Sequence, residues 1–118
     1  MKINIVLISF LIISSNVMAQ DTSIQQGKEA YLSYGCALCH GVEGRGDGIN
    51  AKNYDPPPTN FYNKNSYKHG RQKPDIIYSI RQGVRQQDNV MPPFLHLSKD
   101  ELGWIADYIL SMLKEGEK

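Results

Sequence analysis

Residues 36–40 read Cys36-Ala37-Leu38-Cys39-His40, and they include both cysteines of the chain. Two thiols separated by two residues on a short helical turn can add across the two vinyl groups on one edge of a porphyrin. The histidine that follows is then carried under the ring, where an imidazole nitrogen can ligate the iron. The spacing therefore predicts covalent haem attachment through Cys36 and Cys39, with His40 as one axial ligand.

Three other uses of a C-x-x-C pair compete with this interpretation. A thiol–disulfide redox site expects a βαβ setting, and the sequence has no strand–helix–strand pattern around the pair. A structural zinc site needs about four protein ligands, and the two further histidines, His69 and His96, stand at no recognisable spacing. A plain disulfide would not require His40. Haem attachment is the favoured interpretation.

The first nineteen residues have the form of a secretory signal peptide. Lys2 precedes an apolar run over residues 3–13, and residues 17–19 form a small-residue cleavage site. The run is shorter than the roughly 20 residues of a membrane-spanning helix, which favours a cleaved signal over an uncleaved N-terminal anchor. We therefore expect a signal peptide over residues 1–19 and one exported domain over residues 20–118.

The charge of the chain is nearly balanced, with 13 lysine and arginine residues against 12 aspartate and glutamate residues. A nucleic-acid-binding protein usually shows a basic patch or a high isoelectric point, so this class is not expected. The basic side chains are nevertheless concentrated in residues 61–90. This segment is interpreted either as a solvated face or as a docking patch for a partner protein.

A candidate for the second axial ligand lies in Val90-Met91-Pro92-Pro93-Phe94. Met91 directly precedes a proline, which favours an extended and stiff backbone and suits a thioether aimed at an iron. Met112 is the main rival, but it lies at helical spacing with other apolar residues, so core packing accounts for it. His69 and His96 are replacement ligands in principle.

The first amphipathic helix is predicted over residues 23–34. Ser23 and Gln26 have the spacing of a capping box. Gly27 and Tyr31 share one face, where the missing side chain of Gly27 would let another helix approach closely.

Two more helices are predicted further along the chain. Residues 74–82 begin with Pro74, which suits a first helical turn. Residues 98–114 begin with a capping box of Ser98 and Glu101 and carry a strong apolar face. The last residues, 115–118, are expected to fray. No strand is predicted.

Loops are expected to complete the surroundings of the haem. Residues 41–48 contain four glycines and are predicted to run close to a flat ligand. One carbonyl of Pro56, Pro57 or Pro58 is predicted to accept the second N–H of His40, because such partners orient iron-bound histidines. The choice among the three prolines stays open. A short helical turn is expected near residues 61–68.

Taken in order, these motifs resemble the class I c-type cytochromes, especially small bacterial periplasmic members. The resemblance covers most of residues 24–113 and is carried by C-A-L-C-H-G, G-x-G-D-G, P-P-P-T-N-F, K-H-G and M-P-P-F. It implies an all-α cytochrome c-like fold, in which N- and C-terminal helices cross beside a covalently bound haem. It also implies thioether bonds at Cys36 and Cys39, with His40 and Met91 as axial iron ligands.

The function implied is that of a periplasmic electron-transfer protein that carries one electron on a single haem c. Its expected partners are electron donor and acceptor proteins, with no nucleic acid and no small-molecule substrate. Because two axial ligands leave no open position on the iron, no enzymatic activity is expected. Two alternatives stay open: a haem-based ligand-binding or catalytic protein with a displaceable distal ligand, and a dedicated subunit of a membrane oxidase or dehydrogenase.

Overall fold

Helices make up most of the regular structure. The computed structural model describes the chain from residue 2 to residue 118, and its side chains from residue 17 onward. The elements in order are α1 (Lys2–Ser33), α2 (Ala37–His40), a 3-10 turn (Ala51–Asn53), α3 (Lys73–Gln82), β1 (Val84–Gln86), β2 (Asn89–Met91) and α4 (Lys99–Gly116). The architecture confirms the predicted cytochrome c-like helical fold, with long loops between α2 and α3.

The crossing of α1 and α4 forms the framework of the domain. Gly27 lies directly against α4, where a Cβ atom would overlap the Trp104 carbonyl and lie 2.8 Å from the Cβ of Tyr108. One turn later the Tyr31 ring meets the Tyr108 ring edge-on at 5.4 Å. Tyr31 and Ile105 are almost completely buried. The predicted close approach at Gly27 is confirmed.

The predicted start of the first helix is wrong. Helix α1 already runs through residue 23, so Ser23 lies inside the helix and cannot act as its N-cap. The Ser23 hydroxyl instead donates a hydrogen bond to the carboxylate of Asp107 on α4. A serine inside a helix can donate its hydroxyl to an acceptor on a neighbouring helix. Sequence spacing alone does not reveal that such an acceptor is near.

Helices α3 and α4 both begin with reciprocal capping. Gln72 and Asp75 cap the start of α3, with Pro74 in its first turn, and Ser98 and Glu101 cap α4 as predicted. The predicted fraying of residues 115–118 is wrong over its first part. Helix α4 continues to Gly116, because this glycine lets the helix pack directly against the backbone of Tyr62.

Two local predictions between the helices are also corrected. A short antiparallel hairpin pairs Val84 with Met91, where no strand was expected. Its strands are too short to show an alternating pattern, and the turn lacks the Asn-Gly signature. Residues 61–68 form turns without a helix. The Asn60 and Asn63 side chains accept backbone N–H groups two residues ahead, which competes with helix formation.

The prediction of a signal peptide over residues 1–19 stays a prediction. It depends on the side chains of residues 1–16, which lie outside the described side chains. Within the described part of the chain, no helix has both the length and the apolar character that crossing a bilayer requires.

Candidate haem site

A cavity of about 240 Å³ lies between the helices and the long loops. A single water molecule needs roughly 10–15 Å³ on the same measure, so the cavity accommodates a far larger group. Its walls are mainly aliphatic and aromatic, and they include the following side chains: Tyr31, Phe61, Tyr67, Ile76, Ile80, Phe94, Ile105 and Ile109. Cys36, Cys39, His40 and Met91 also line this cavity. The fold therefore brings together the four residues singled out by the sequence.

The two cysteines stand on the short helix α2. Cys36 is its N-cap, and the backbone N–H of His40 donates to the Cys36 carbonyl at 2.9 Å, which closes the turn predicted for the motif. No disulfide joins the two cysteines, so the plain disulfide interpretation is not supported. Burial, with a smaller contribution from Cys39, raises the pKa of the Cys36 thiol to about 11. No group of three or more metal-binding side chains occurs in the described residues, so the zinc interpretation has no ligand set.

His40 is oriented by its backbone partner and by an aromatic ring. Its Nδ1 lies 3.1 Å from the carbonyl oxygen of Thr59. Because a carbonyl can only accept, Nδ1 must carry the proton, which leaves Nε2 available as an iron ligand. The imidazole stacks on Phe61 with 4.6 Å between ring centres. Burial lowers the pKa of His40 and so favours the neutral ring that binds metals.

The acceptor for His40 was predicted to be Pro56, Pro57 or Pro58, and this is wrong by one residue. Thr59, which directly follows the proline run, presents its carbonyl to the imidazole. The three prolines line the cavity instead. A rigid run fixes the direction of the chain, but the loop's path across the fold decides which carbonyl meets the ring.

Met91 enters the cavity from the hairpin. It is the last residue of β2 and is extended there, as its position before Pro92 predicts. Its backbone neighbours are fixed on both sides, since Val84 pairs with Met91 and the N–H of Phe94 donates to the Ile80 carbonyl at 3.0 Å. Met112 is 4% exposed and belongs to the core, where its sequence spacing had placed it.

The other two histidines do not line the cavity. His69 packs edge-on against Tyr78, with 5.4 Å between ring centres. His96 lies against Tyr34 and Phe94. Neither residue is placed as a replacement for Met91.

The glycine-rich loop was predicted to run along the ligand, and this is wrong. None of residues 41–48 lines the cavity. Gly44 packs against Met112 and Phe61, Gly46 against the Pro58 carbonyl, and Gly48 against the Leu38 carbonyl. The glycines allow the loop to fold tightly beneath α2 and beside the Pro58–Thr59 backbone. They therefore affect the site indirectly, by supporting the backbone that carries its side chains.

Two aromatic residues of the cavity wall were missed by the sequence analysis. Phe61 stacks on His40, and Tyr67 donates its hydroxyl to the Phe61 carbonyl at 2.7 Å. Burial raises the pKa of Tyr67, so its hydroxyl stays protonated at neutral pH. Both residues lie in a segment without helical or strand periodicity. Phe61 ends the P-P-P-T-N-F motif, which gives no sign of its contact with His40, and no motif contains Tyr67.

Comparison with known proteins places this site in a family. The family model "Cytochrome c" matches residues 24–113, so the chain belongs to the cytochrome c family. Its members carry covalently attached haem c and transfer electrons, and the donor set of two thiols, an imidazole and a thioether in one apolar cavity fits that group. The family therefore implies covalently attached haem c, with iron, as the cofactor of this chain.

One solved structure is similar across most of the chain. It belongs to a reducing HAO-like protein complex of Kuenenia stuttgartiensis and has a TM-score of 0.59 and 28% sequence identity. The match covers 74% of this chain and 41% of that chain, so the present chain spans less than half the length of that relative. No curated protein has a sequence that matches this one.

Proposed function

We propose that the protein is a one-electron carrier whose haem is bound through Cys36 and Cys39 and ligated by His40 and Met91. The observation that carries this proposal is the presence of all four side chains in the lining of one apolar cavity. When bound, the haem supplies an iron that cycles between the ferric and ferrous states. The residues of the chain set its orientation, its ligation and its access to solvent.

The two ligand side chains differ in what they contribute. The Thr59 carbonyl accepts the Nδ1–H of His40, which fixes the ring and increases the basicity of the opposite nitrogen. The thioether of Met91 is neutral, and the aliphatic and aromatic walls disfavour extra positive charge, which together raise the reduction potential. Because His40 and Met91 would both hold the iron, no position on it would remain for a substrate, and we propose no enzymatic activity.

Electrons would pass where the cavity meets solvent. Leu38 and Val90 both line the cavity, and they are 52% and 41% exposed. A weak redox encounter needs less than about 1,200 Å² of buried surface, so a small apolar edge is sufficient for an electron donor or acceptor protein to dock transiently.

A redox titration of the purified holoprotein with continuous spectra tests the proposal. We expect a single one-electron transition, a sharp α-band in the reduced state and a thioether–iron charge-transfer band in the ferric state. Met91→Ala should abolish the charge-transfer band and lower the potential. Met112→Leu is the matched control, since it changes a core methionine, and should keep both properties. An unaltered charge-transfer band in Met91→Ala would remove Met91 from the ligand set.

The place of action follows from the predicted export signal. We propose that residues 1–19 are removed and that residues 20–118 act in the bacterial periplasm. N-terminal sequencing of the protein purified from its native host tests this, with Gln20 as the expected first residue. Recovery of an intact Met1 in the membrane fraction would favour an N-terminal anchor instead.

A second candidate function is that of a cytochrome subunit in a larger redox assembly. The similarity to a chain of the reducing HAO-like protein complex favours it, because that chain belongs to a complex of several proteins. Size-exclusion chromatography of unfractionated extract, followed by haem staining, separates the two candidates. Haem at the size of the monomer supports the diffusible carrier, and haem in a large particle supports the subunit.

A further inference from the structure

We propose that Gly83 is a positioning residue for Met91, because its missing side chain lets the methionine segment lie directly against the end of α3. This inference rests on the proposed role of Met91 as an iron ligand. Gly83 itself does not line the cavity. It would therefore act through the backbone of Met91, Pro92 and Pro93.

Gly83 is required at this position for two independent reasons. Its backbone has φ 76° and ψ 174°, a region that is essentially accessible only to glycine. A Cβ atom at position 83 would also lie 2.5 Å from the Met91 carbonyl oxygen and 3.0 Å from the Pro93 nitrogen. Both neighbours are backbone atoms, which cannot move aside as the end of a flexible side chain can.

Close packing matters here because the segment has few hydrogen bonds available. Pro92 and Pro93 have no N–H to donate, so they cannot be fixed by backbone donors of their own. The flanking restraints are the pairing of Val84 with Met91 and the hydrogen bond from Phe94 N–H to the Ile80 carbonyl at 3.0 Å. Between these two points, the backbone surface of Gly83 supports the segment.

The support is connected to the rigid core. Ile76 and Ile80 of α3 are 4% and 5% exposed and also line the cavity. Helix α3 is thus fixed relative to the haem cavity, and Gly83 ends that helix. A displacement of the Met91 backbone away from Gly83 would change the distance from the thioether to the iron while leaving the core in place.

The test compares three variants of the holoprotein. Gly83→Ala adds the Cβ at the proposed contact. Gly44→Ala is the control matched in φ, because Gly44 has a φ of +75° and contacts the side chains of Met112 and Phe61, on the His40 side of the cavity and away from the methionine segment. Met91→Leu removes the proposed ligand itself. The measurements are the ferric charge-transfer band, the rate of carbon monoxide binding to the ferrous protein, and the thermal unfolding midpoint.

We expect Gly83→Ala to weaken the charge-transfer band and to speed carbon monoxide binding by about tenfold, the size that strain of about 1.4 kcal/mol would produce. Gly44→Ala should lower the unfolding midpoint and leave both ligation signatures within about twofold of the unchanged protein. If Gly83→Ala behaves as Gly44→Ala does, the positioning role is wrong and Gly83 is only structural. If Met91→Leu leaves the band unaltered, the proposed function fails first, at the ligand.

A further variant, Pro92→Ala, tests the proposal if Gly83→Ala attaches no haem. Pro92→Ala leaves Gly83 in place and frees the backbone that lies against it. We expect the same loss of the charge-transfer band to a smaller degree, with carbon monoxide binding between that of the unchanged protein and that of Met91→Leu. Unaltered ligation in Pro92→Ala, together with failed maturation of Gly83→Ala, would overturn the proposal.

Discussion

The two sides of the haem cavity are built very differently. We use "histidine wall" for residues 36–61, which include α2 and its supporting loop, and "methionine wall" for residues 83–94, which include the hairpin and the two prolines. In the histidine wall, Gly46 N–H donates to the His40 carbonyl at 2.8 Å and Gly48 N–H to the Cys39 carbonyl at 3.0 Å. His40 is further fixed by Thr59 and Phe61.

The methionine wall depends on fewer restraints. Its two strands contain three residues each, and Leu95, which directly follows it, is 68% exposed. Local opening is favoured where apolar contacts are few and backbone hydrogen bonds face solvent. We therefore infer that the methionine wall opens before the histidine wall, so that ligation by Met91 is lost while the domain is still folded.

The largest effect is expected from removing the ring beneath His40. Phe61 is 7% exposed and stacks on the imidazole. Phe61→Ala should lower the free energy of unfolding by about 3–5 kcal/mol, the usual cost of a buried phenylalanine. Because the change destabilises the whole domain and leaves the methionine wall unaltered, the denaturant interval between loss of the ferric charge-transfer band and global unfolding should narrow. Guanidinium titration followed by absorbance of the haem and by circular dichroism measures both quantities.

Phe94→Ala is the counterpart in the methionine wall. Phe94 is only partly buried, so its loss should cost less stability than that of Phe61. Its backbone lies next to Pro93, so Met91 ligation should be released well before the helices unfold. The comparison between the walls fails if Phe61→Ala widens the interval between loss of the band and global unfolding, or if the two substitutions lower the unfolding free energy equally.

A smaller effect, of opposite sign, is expected at the turn of the hairpin. Gln87 has a φ of 52° and is the one non-glycine residue with positive φ among the described residues. Positive φ at the first central position is the arrangement of a type II′ turn, which favours glycine there. Gln87→Gly should therefore stabilise the hairpin by about 0.5–1 kcal/mol, the left-handed strain less the added flexibility of glycine.

The readout for Gln87→Gly is the denaturant concentration at which the ferric charge-transfer band disappears. Strengthening the hairpin should move this concentration upward, closer to the global unfolding midpoint. Asp88→Gly, at the next position of the turn, is the control and should move it downward, because glycine adds flexibility there without relieving strain. Equal shifts for the two variants would show that the turn does not limit Met91 ligation.

Features that depend on residues close together in the sequence could be predicted, because such residues are also close together in the structure. The spacing of Cys36, Cys39 and His40 fixes one turn of helix, and the Ser98–Glu101 capping box fixes the start of α4. Gly27 could be placed at a helix crossing because a missing side chain on an apolar face has a direct packing consequence. These features depend on separations of a few residues.

Features that depend on the path of a loop were not predictable. Gly46 packs directly against the backbone of Pro58, and this contact fixes the position of the following residue, Thr59. The carbonyl that faces His40 is therefore that of Thr59. The hairpin is missed because three-residue strands carry no periodicity. Ser23 illustrates the same limit, since its partner Asp107 lies on another helix. Sequence spacing contains no information about such partners.

The smallest effect is expected from a hydrogen bond outside the cavity, made by a residue that precedes the histidine wall in the sequence. The Tyr34 hydroxyl donates to the Glu101 carboxylate at 2.5 Å, joining the end of α1 to the first turn of α4. This hydrogen bond is the main reason that the pKa of Glu101 lies below its ordinary value of 4.5. Because the folded-state pKa is the lower one, the stabilisation is complete above pH 4.5 and disappears as the pH falls through the folded-state value.

Tyr34→Phe should therefore lower the thermal unfolding midpoint at pH 7 by a small amount that salt reduces further, since the pair is only part-buried and solvent still screens it. The deficit should shrink toward zero as the pH falls through the lowered folded-state pKa of Glu101, below which Glu101 is protonated in both states. Tyr78→Phe, at an exposed tyrosine, is the control and should show no such pH dependence. Because Tyr34 adjoins the histidine wall, the charge-transfer band of Met91 ligation should be unaffected at every pH at which the protein is folded. A deficit that is constant with pH would show that the Tyr34 hydroxyl does not act through the charge of Glu101, whereas early loss of the band would show that the two walls are coupled through α4.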